Sequence, residues 1–181
     1  MAGWKGPWRL RCGQCPLSLL PLWTVFTYGW TPSRGDPMKI QPYLFFDGRC
    51  EEALAFYQKA LGAEVTMLLR FKDNPDPPQE GTCGGAPGAP APSPDKVMHA
   101  EFRIGETHVL ASDGMCGGQP RFEGISLAIT PADAADAQRV FTALGEGGQV
   151  QVPLGPAFFS PAFGMVADRF GVSWMVVAPQ T

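Results

Sequence analysis

Val97-Met-His-Ala-Glu-Phe-Arg-Ile-Gly-Glu-Thr-His-Val-Leu-Ala-Ser-Asp113 is the stretch from which the fold is best read. Both histidines of the chain, His99 and His108, lie in it. It divides at Gly105-Glu106-Thr107 into two runs, the pattern of a β-hairpin. In the first run Met98, Ala100, Phe102 and Ile104 alternate with His99, Glu101 and Arg103. A strand has period two, so the two sets point to opposite faces. The apolar set must pack on something, and a helix is expected there. The polar set is either the wall of a ligand pocket or a solvated surface row.

Upstream of the hairpin the pattern stays regular as far as Met38. Ile40–Phe46 reads as a strand, with Pro42 near its start, where an edge position tolerates it. Asp47-Gly48 is a turn. Cys50–Leu61 reads as a helix: Glu51 and Glu52 suit its first turn, Ala53, Leu54, Tyr57, Ala60 and Leu61 form one apolar stripe, and Gly62 caps it. Glu64–Phe71 is the next strand. Lys72–Lys96 is different: eleven of its 25 residues are Pro or Gly, so it is a long loop, either a lid or a tolerated insertion.

Downstream, Gly114–Gly124 links to a second regular part. Ile125–Ile129 is a strand. Thr130-Pro131 starts a helix, with Thr130 as N-cap and Ala134, Ala137, Val140, Phe141 and Leu144 as its buried stripe. Gln149–Val152, Ala157–Ala167 and Val172–Val177 read as three strands, the last entered through the turn Asp168–Gly171. The two parts share an element order and a marker. One helix ends in Ala60-Leu61-Gly62 and the other in Ala143-Leu144-Gly145. Together these argue for two β-α-β-β-β modules, about 38–113 and 121–178, in one α+β domain spanning 38–181. Two such curved sheets enclose a cavity, the usual place for a small ligand.

Residues 1–37 do not conform. They hold four of the five tryptophans, and four basic side chains against Asp36 alone. The rest of the chain is acidic, which brings the net charge to −3. The segment is read as a mobile extension, or as a start called too early with Met38 as the true first residue. Its apolar run, Pro16–Trp30, is too short to span a bilayer. The net negative charge argues against nucleic acid as a partner. Five cysteines, Cys12, Cys15, Cys50, Cys83 and Cys116, make no even disulfide framework, so a reduced, cytoplasmic protein with no membrane partner is expected. Cys12-Gly-Gln-Cys15 is a lone pair and a weak zinc or redox signal. Cys50 and Cys116 have no base nearby in sequence and receive no nucleophilic role.

With the elements placed, the sequence resembles the glyoxalase/bleomycin-resistance (vicinal-oxygen-chelate) superfamily of resistance proteins and dioxygenases. Within it, the chain resembles the PhnB-like branch, also labelled 3-demethylubiquinone methyltransferase-like. The resemblance rests on Pro42-Tyr-Leu-Phe-Phe-Asp-Gly48, Glu52-Ala-Leu-Ala-Phe-Tyr57, Ala60-Leu-Gly62, His99-Ala-Glu-Phe-Arg-Ile-Gly105 and Ala111-Ser-Asp113. In the second module Phe158-Phe159, Gly164 and Asp168-Arg-Phe-Gly-Val-Ser-Trp174 carry it. It implies paired βαβββ modules, commonly assembled as dimers, and in the metal-dependent members a divalent ion held by His, Gln or Glu on facing strands. This sequence departs from that ligand pattern. Ile40-Gln41 and Ile125-Ser126 stand where a His is usual, and Met175 stands where a Glu is usual, which cannot serve a hard ion. No metal or other cofactor is therefore expected, with a divalent ion on His99 and Glu101 as the weaker alternative and Gln41 as a further donor. No Gly-rich loop between strand and helix offers a seat for an adenosyl cofactor, which disfavours the methyltransferase label.

The pocket candidates are Gln41, Tyr43, His99, Glu101, Arg103, Phe159 and Trp174. Tyr43 and Phe45 form an aromatic wall or plain core, with core the better expectation. Trp174 either stacks on a ligand or fills the core. His108 is placed toward the solvent end of the hairpin. Three functions follow. The first is a small-molecule-binding homodimer without a full metal site. The second is a metal-dependent lyase, isomerase or dioxygenase-like enzyme. The third is a purely structural dimerising domain.

Overall fold

A computed structural model describes residues 38–75, 93–114 and 120–180. The chain divides into Met1–Met38 and Lys39–Thr181, and the described elements all belong to the second unit. The expected extension, the Cys12–Cys15 pair, Cys83, Cys116 and residues 76–92 of the long loop lie outside the described residues. The flanks of that loop are pinned together. Phe71 N–H donates to the Lys96 carbonyl (3.1 Å), Lys72 N–H to the Pro94 carbonyl (2.9 Å), and Lys72 pairs with Asp95.

The first module runs β1 (Tyr43–Phe45), α1 (Cys50–Leu61), β2 (Glu64–Arg70), β3 (Val97–Ile104) and β4 (Thr107–Ser112). The second runs β5 (Leu127–Ile129), α2 (Ala134–Leu144), β6 (Gln149–Ala157), β7 (Ser160–Ala167) and β8 (Ser173–Val177). Each forms a four-stranded mixed sheet, in the orders β1-β4-β3-β2 and β5-β8-β7-β6. In both, the first strand lies parallel to the last and the remaining pairs are antiparallel. The α+β class with paired βαβββ modules is thus the observed one.

α1 has the expected bounds. Gly62 takes the left-handed conformation (φ 66°) and donates to Gln58, and Ala63 donates to Tyr57, closing the last turn. The second helix begins later than its first threonine suggests. Asp133, not Thr130, is the N-cap: its carboxylate accepts from Asp136 N–H at 2.8 Å. Asp136 reaches back toward Ala132 N–H, so the pair satisfies two donors that Thr130-Pro131 cannot reach. Ala134 is consequently outside the buried stripe, which is Ala137, Val140, Phe141 and Leu144. Although both helices end in Ala-Leu-Gly, Gly145 remains right-handed (φ −72°), so the shared marker does not mean a shared cap.

β6 is longer than expected because it is an edge strand. Pro153 and Pro156 lack an N–H, which costs nothing on the unpaired side, and the register is irregular through them. β7 therefore starts at Ser160, after a turn at Phe158-Phe159. At Gly164 both α2 and β6 approach β7 closely. A Cβ there would stand 2.8 Å from Phe141 Cε2 and 2.9 Å from Leu154 Cα.

One core serves both modules. The Tyr57 ring of α1 stacks on Phe102 of β3 (5.6 Å, 17°) and meets Trp174 of β8 edge-on (5.5 Å). Phe170 closes on Phe46, Phe56 and Tyr57. Each sheet thus turns one face to the helices and leaves the other open. Val97, Ala100 and Phe102 of β3 are buried, as are Ala162, Val166, Trp174 and Val176 in the second sheet. The open faces carry Tyr43, Phe45 and Met67 in one sheet and Val152 in the other, all exposed.

The candidate ligand-binding face

The open face of the first sheet follows from strand parity and register. Tyr43 lies opposite Leu110, Leu110 opposite Glu101, and Glu101 opposite Met67, forming one rung across all four strands. His99 and Arg103 flank Glu101 on β3, and Phe45 follows Tyr43 on β1. The Tyr43 hydroxyl is 3.1 Å from His99 Nδ1, and the Tyr43 ring stacks on Phe45 (4.9 Å). Tyr43 and Phe45 are therefore not core, contrary to the better of the two expectations: they are 39% and 50% exposed. Their neighbours Leu44 and Phe46 take the core positions, because period two allows only one set inward.

Glu101 does not use its neighbours on β3 as cationic partners. Its Oε1 lies 2.5 Å from Nδ1 of His108, while Arg103 is drawn to Glu64 at the sheet edge (2.6 Å). That exposed pairing holds the Arg103 guanidinium above its ordinary range. His108 lies near the solvent end of the hairpin, as expected, but sequence reasoning missed its contact with Glu101. The hairpin link is two residues, Gly105-Glu106, so Ile104 pairs with Thr107 and Arg103 with His108. A directly opposed residue shares the face of its partner, so counting the link as two residues places His108 beside Glu101.

The matching rung of the second sheet is Ala128–Met175–Met165–Val152. It is apolar where the first is polar. Near it, the Ser126 and Ser173 hydroxyls lie 2.7 Å apart, and Ser173 donates to Gln151 Oε1 at 2.9 Å. Phe159, 45% exposed, packs on Phe163 at one end of the sheet. Gln41 stands two residues ahead of β1 and is half-buried.

Trp174 is not on either open face. It is 2% exposed and sits among the helices' aromatic side chains, so its candidacy as a ligand contact is corrected to core. Parity again decides it, because Trp174 and Val176 point into the core and Met175 points outward. Asp168, expected only to shape a turn, does more. One of its oxygens accepts Phe170 N–H (2.9 Å) and Val172 N–H (3.1 Å). The other accepts the Tyr57 hydroxyl (2.7 Å) and Trp174 Nε1–H (2.9 Å). A buried Tyr and Trp each require a polar partner, and that requirement is the sequence signal that points to this aspartate. Burial first, and then the charge of Asp168, holds the Tyr57 hydroxyl well above its ordinary range. Cys50 is buried beside Asp113, whose carboxylate accepts Cys50 N–H (2.8 Å) and Val97 N–H (2.7 Å). Burial, reinforced by the Asp113 and Glu51 charges, pushes its thiol up to about 12, so it is inert rather than nucleophilic.

Residues 38–177 match the family described as 3-demethylubiquinone-9 3-methyltransferase. The chain belongs to this PhnB-like family. Protein YjdN of Escherichia coli is 32% identical over 139 residues, which cover 77% of this chain and 94% of that protein. Protein PA1353 from Pseudomonas aeruginosa is 38% identical, with a TM-score of 0.66, and the match covers 80% of this chain and all of that one. A Bacillus cereus PhnB protein, described as a putative 3-demethylubiquinone-9 3-methyltransferase, is 26% identical with a TM-score of 0.61 (78% and 99% covered). At 10% identity and a TM-score of 0.55, a glyoxylase/bleomycin resistance protein/dioxygenase domain from Frankia, matched over 80% of this chain and 94% of its own, shares the fold alone.

As for a metal, among the described residues no three His, Cys, Asp or Glu side chains converge as ligands. His99 and Glu101 are each engaged, with Tyr43 and His108 respectively. Among the described residues the donor set does not fit a divalent site. Among the described residues no helix is long and apolar enough to cross a membrane.

Proposed function

We propose that this PhnB-like protein binds a small molecule on the open face of its first sheet and works as a homodimer. In that dimer the polar face of one copy meets the apolar face of the other, twice by two-fold symmetry. The observation that carries this reading is the Tyr43–Leu110–Glu101–Met67 rung, where exposed aromatic and apolar groups flank polar groups fixed by hydrogen bonds. A few oriented polar groups in a largely apolar wall are the usual make-up of a ligand site. The exposed apolar side chains on both sheets support closure by a second copy. We infer no methyl transfer. The links into the two helices, Asp47-Gly-Arg49 and Thr130-Pro-Ala-Asp133, offer no glycine-rich cradle for a cofactor.

The test is a thermal-shift screen of a metabolite library on the full chain, with and without divalent ions, alongside sedimentation. Expected are stabilisation by a metal-independent hit, a dimer, and substoichiometric zinc, nickel, manganese or iron in the purified protein. One tightly held ion per chain would replace this reading with a metal-dependent enzyme.

A further inference from the structure

The two polar groups that meet on the open β3–β4 face are chemically directional. An ionised carboxylate only accepts hydrogen bonds, so Glu101 fixes the proton of His108 on Nδ1, which lies 2.5 Å from Oε1. When the ring carries only that proton, its lone pair is on Nε2. The ring is reachable: the His108 side chain is 43% exposed, while Glu101 beneath it is 25% exposed. Leu110, directly opposite Glu101, lends the position an apolar neighbour. Arg103, directly opposite His108, has its guanidinium drawn off to Glu64 and leaves the carboxylate to the imidazole.

We propose that Glu101 and His108 form a proton-accepting dyad. Its ligand class is a compound with an acidic C–H beside a carbonyl or other electron-withdrawing group. The proposal rests on the reading that this face holds the ligand. In the step, a bond forms between His108 Nε2 and the proton as the ligand C–H bond breaks. The C–H electron pair stays on the ligand as an enolate or delocalised carbanion. Glu101 stabilises the imidazolium and acts as a positioning residue. Return of the proton to the same or a conjugated atom completes an isomerisation or epimerisation, with no oxidant, reductant or second reactant.

The experiment uses the full chain and 5-nitrobenzisoxazole. Loss of the C3 proton of this probe to a base turns the C–H pair into the nitrile π bond as the ring N–O bond breaks, which releases a coloured cyanophenolate. The expected result is saturation, with kcat/KM roughly a hundredfold or more above the second-order rate of free imidazole at the same pH. His108→Ala and His108→Gln should both fall to the buffer rate with unchanged circular dichroism. Glu101→Gln should lower kcat by about tenfold and leave KM unchanged, a split that a structural role does not produce. Wild-type kcat in both His108 variants overturns the dyad, as does a second-order rate no greater than that of imidazole, whether or not the probe saturates. A His108-dependent rate above that of imidazole without saturation supports the dyad and counts against the binding cavity, so the two readings fail separately.

Discussion

Phe102→Ala probes the assignment of faces on which the site depends. Phe102 is fully buried, stacks on Tyr57 at 5.6 Å, and lies opposite Val65 and Val109 on the neighbouring strands. Truncating such a ring loses its transfer free energy and leaves a cavity, together roughly 3–5 kcal/mol. The cavity would open between a rigid sheet and α1, where relaxation is limited, and the ring stacking is lost too, at about 0.5–1.5 kcal/mol. The upper half of the range is therefore expected, and at about 2–4 °C per kcal/mol the melting temperature should drop by roughly 10–15 °C. Urea unfolding followed by fluorescence and circular dichroism gives the free energy directly, with an unchanged m-value as the sign of an intact two-state transition. A loss below about 1 kcal/mol would mean that the alternating residues of β3 are assigned to the wrong faces. The His99–Glu101 face would then be the packed one, and the ligand reading would fall with it.

Asp168→Asn should cost roughly 2–4 kcal/mol in urea unfolding, because an amide nitrogen facing the Tyr57 hydroxyl and Trp174 N–H leaves buried donors without an acceptor. A near-neutral result would count against the carboxylate as the tie between the modules. Peptide-mapped alkylation should find Cys50 unreactive in the native chain near pH 8 and labelled after denaturation, since its thiol is buried and raised to about 12. Rapid native labelling would contradict that burial. The same shift has a sign in the pH profile. A folded-state value raised from 9.0 to about 12 stabilises fully below pH 9 and is progressively lost as pH rises toward 12, so Cys50→Ala should flatten the alkaline fall in stability relative to the parent.

The sequence made α1 legible because three signals coincide there: acidic residues in the first turn, a 3.6-period stripe and a terminal glycine. The element order of both modules was legible too, as was the alternation of β3. Strand ends were less so. β6 runs through Pro153 and Pro156 because it is an edge strand, and edge position is a property of the sheet, not of the segment. Trp174 could not be assigned to the core before its parity relative to α1 was known. The Glu101–His108 contact joins two strands and depends on a one-residue choice of hairpin link, the kind of register detail on which whole faces turn over. Composition alone pairs Glu101 with the cations beside it in sequence. The sheet pairs it with one diagonally across on β4, His108.

The two modules repeat a backbone without repeating a surface. Their core-facing positions do the same work: Phe102 in one sheet and Trp174 in the other meet the same Tyr57 ring, and Asp168 satisfies the polar atoms that this contact buries. Packing density constrains those positions in both modules, since an interior tolerates neither voids nor unpaired donors. Nothing in packing constrains the outward positions alike. The rung Tyr43–Leu110–Glu101–Met67 corresponds to Ala128–Met175–Met165–Val152, so a hydrogen-bonding, aromatic surface in one module is a methionine-lined one in the other. If fold economy were the only demand, exposed Tyr43 and Phe45 would bring a solubility penalty with no return. Their presence beside oriented His99, Glu101 and His108 is what makes the first sheet, rather than the second, the place to look for specificity. The flexible methionines opposite would supply adaptable apolar contact.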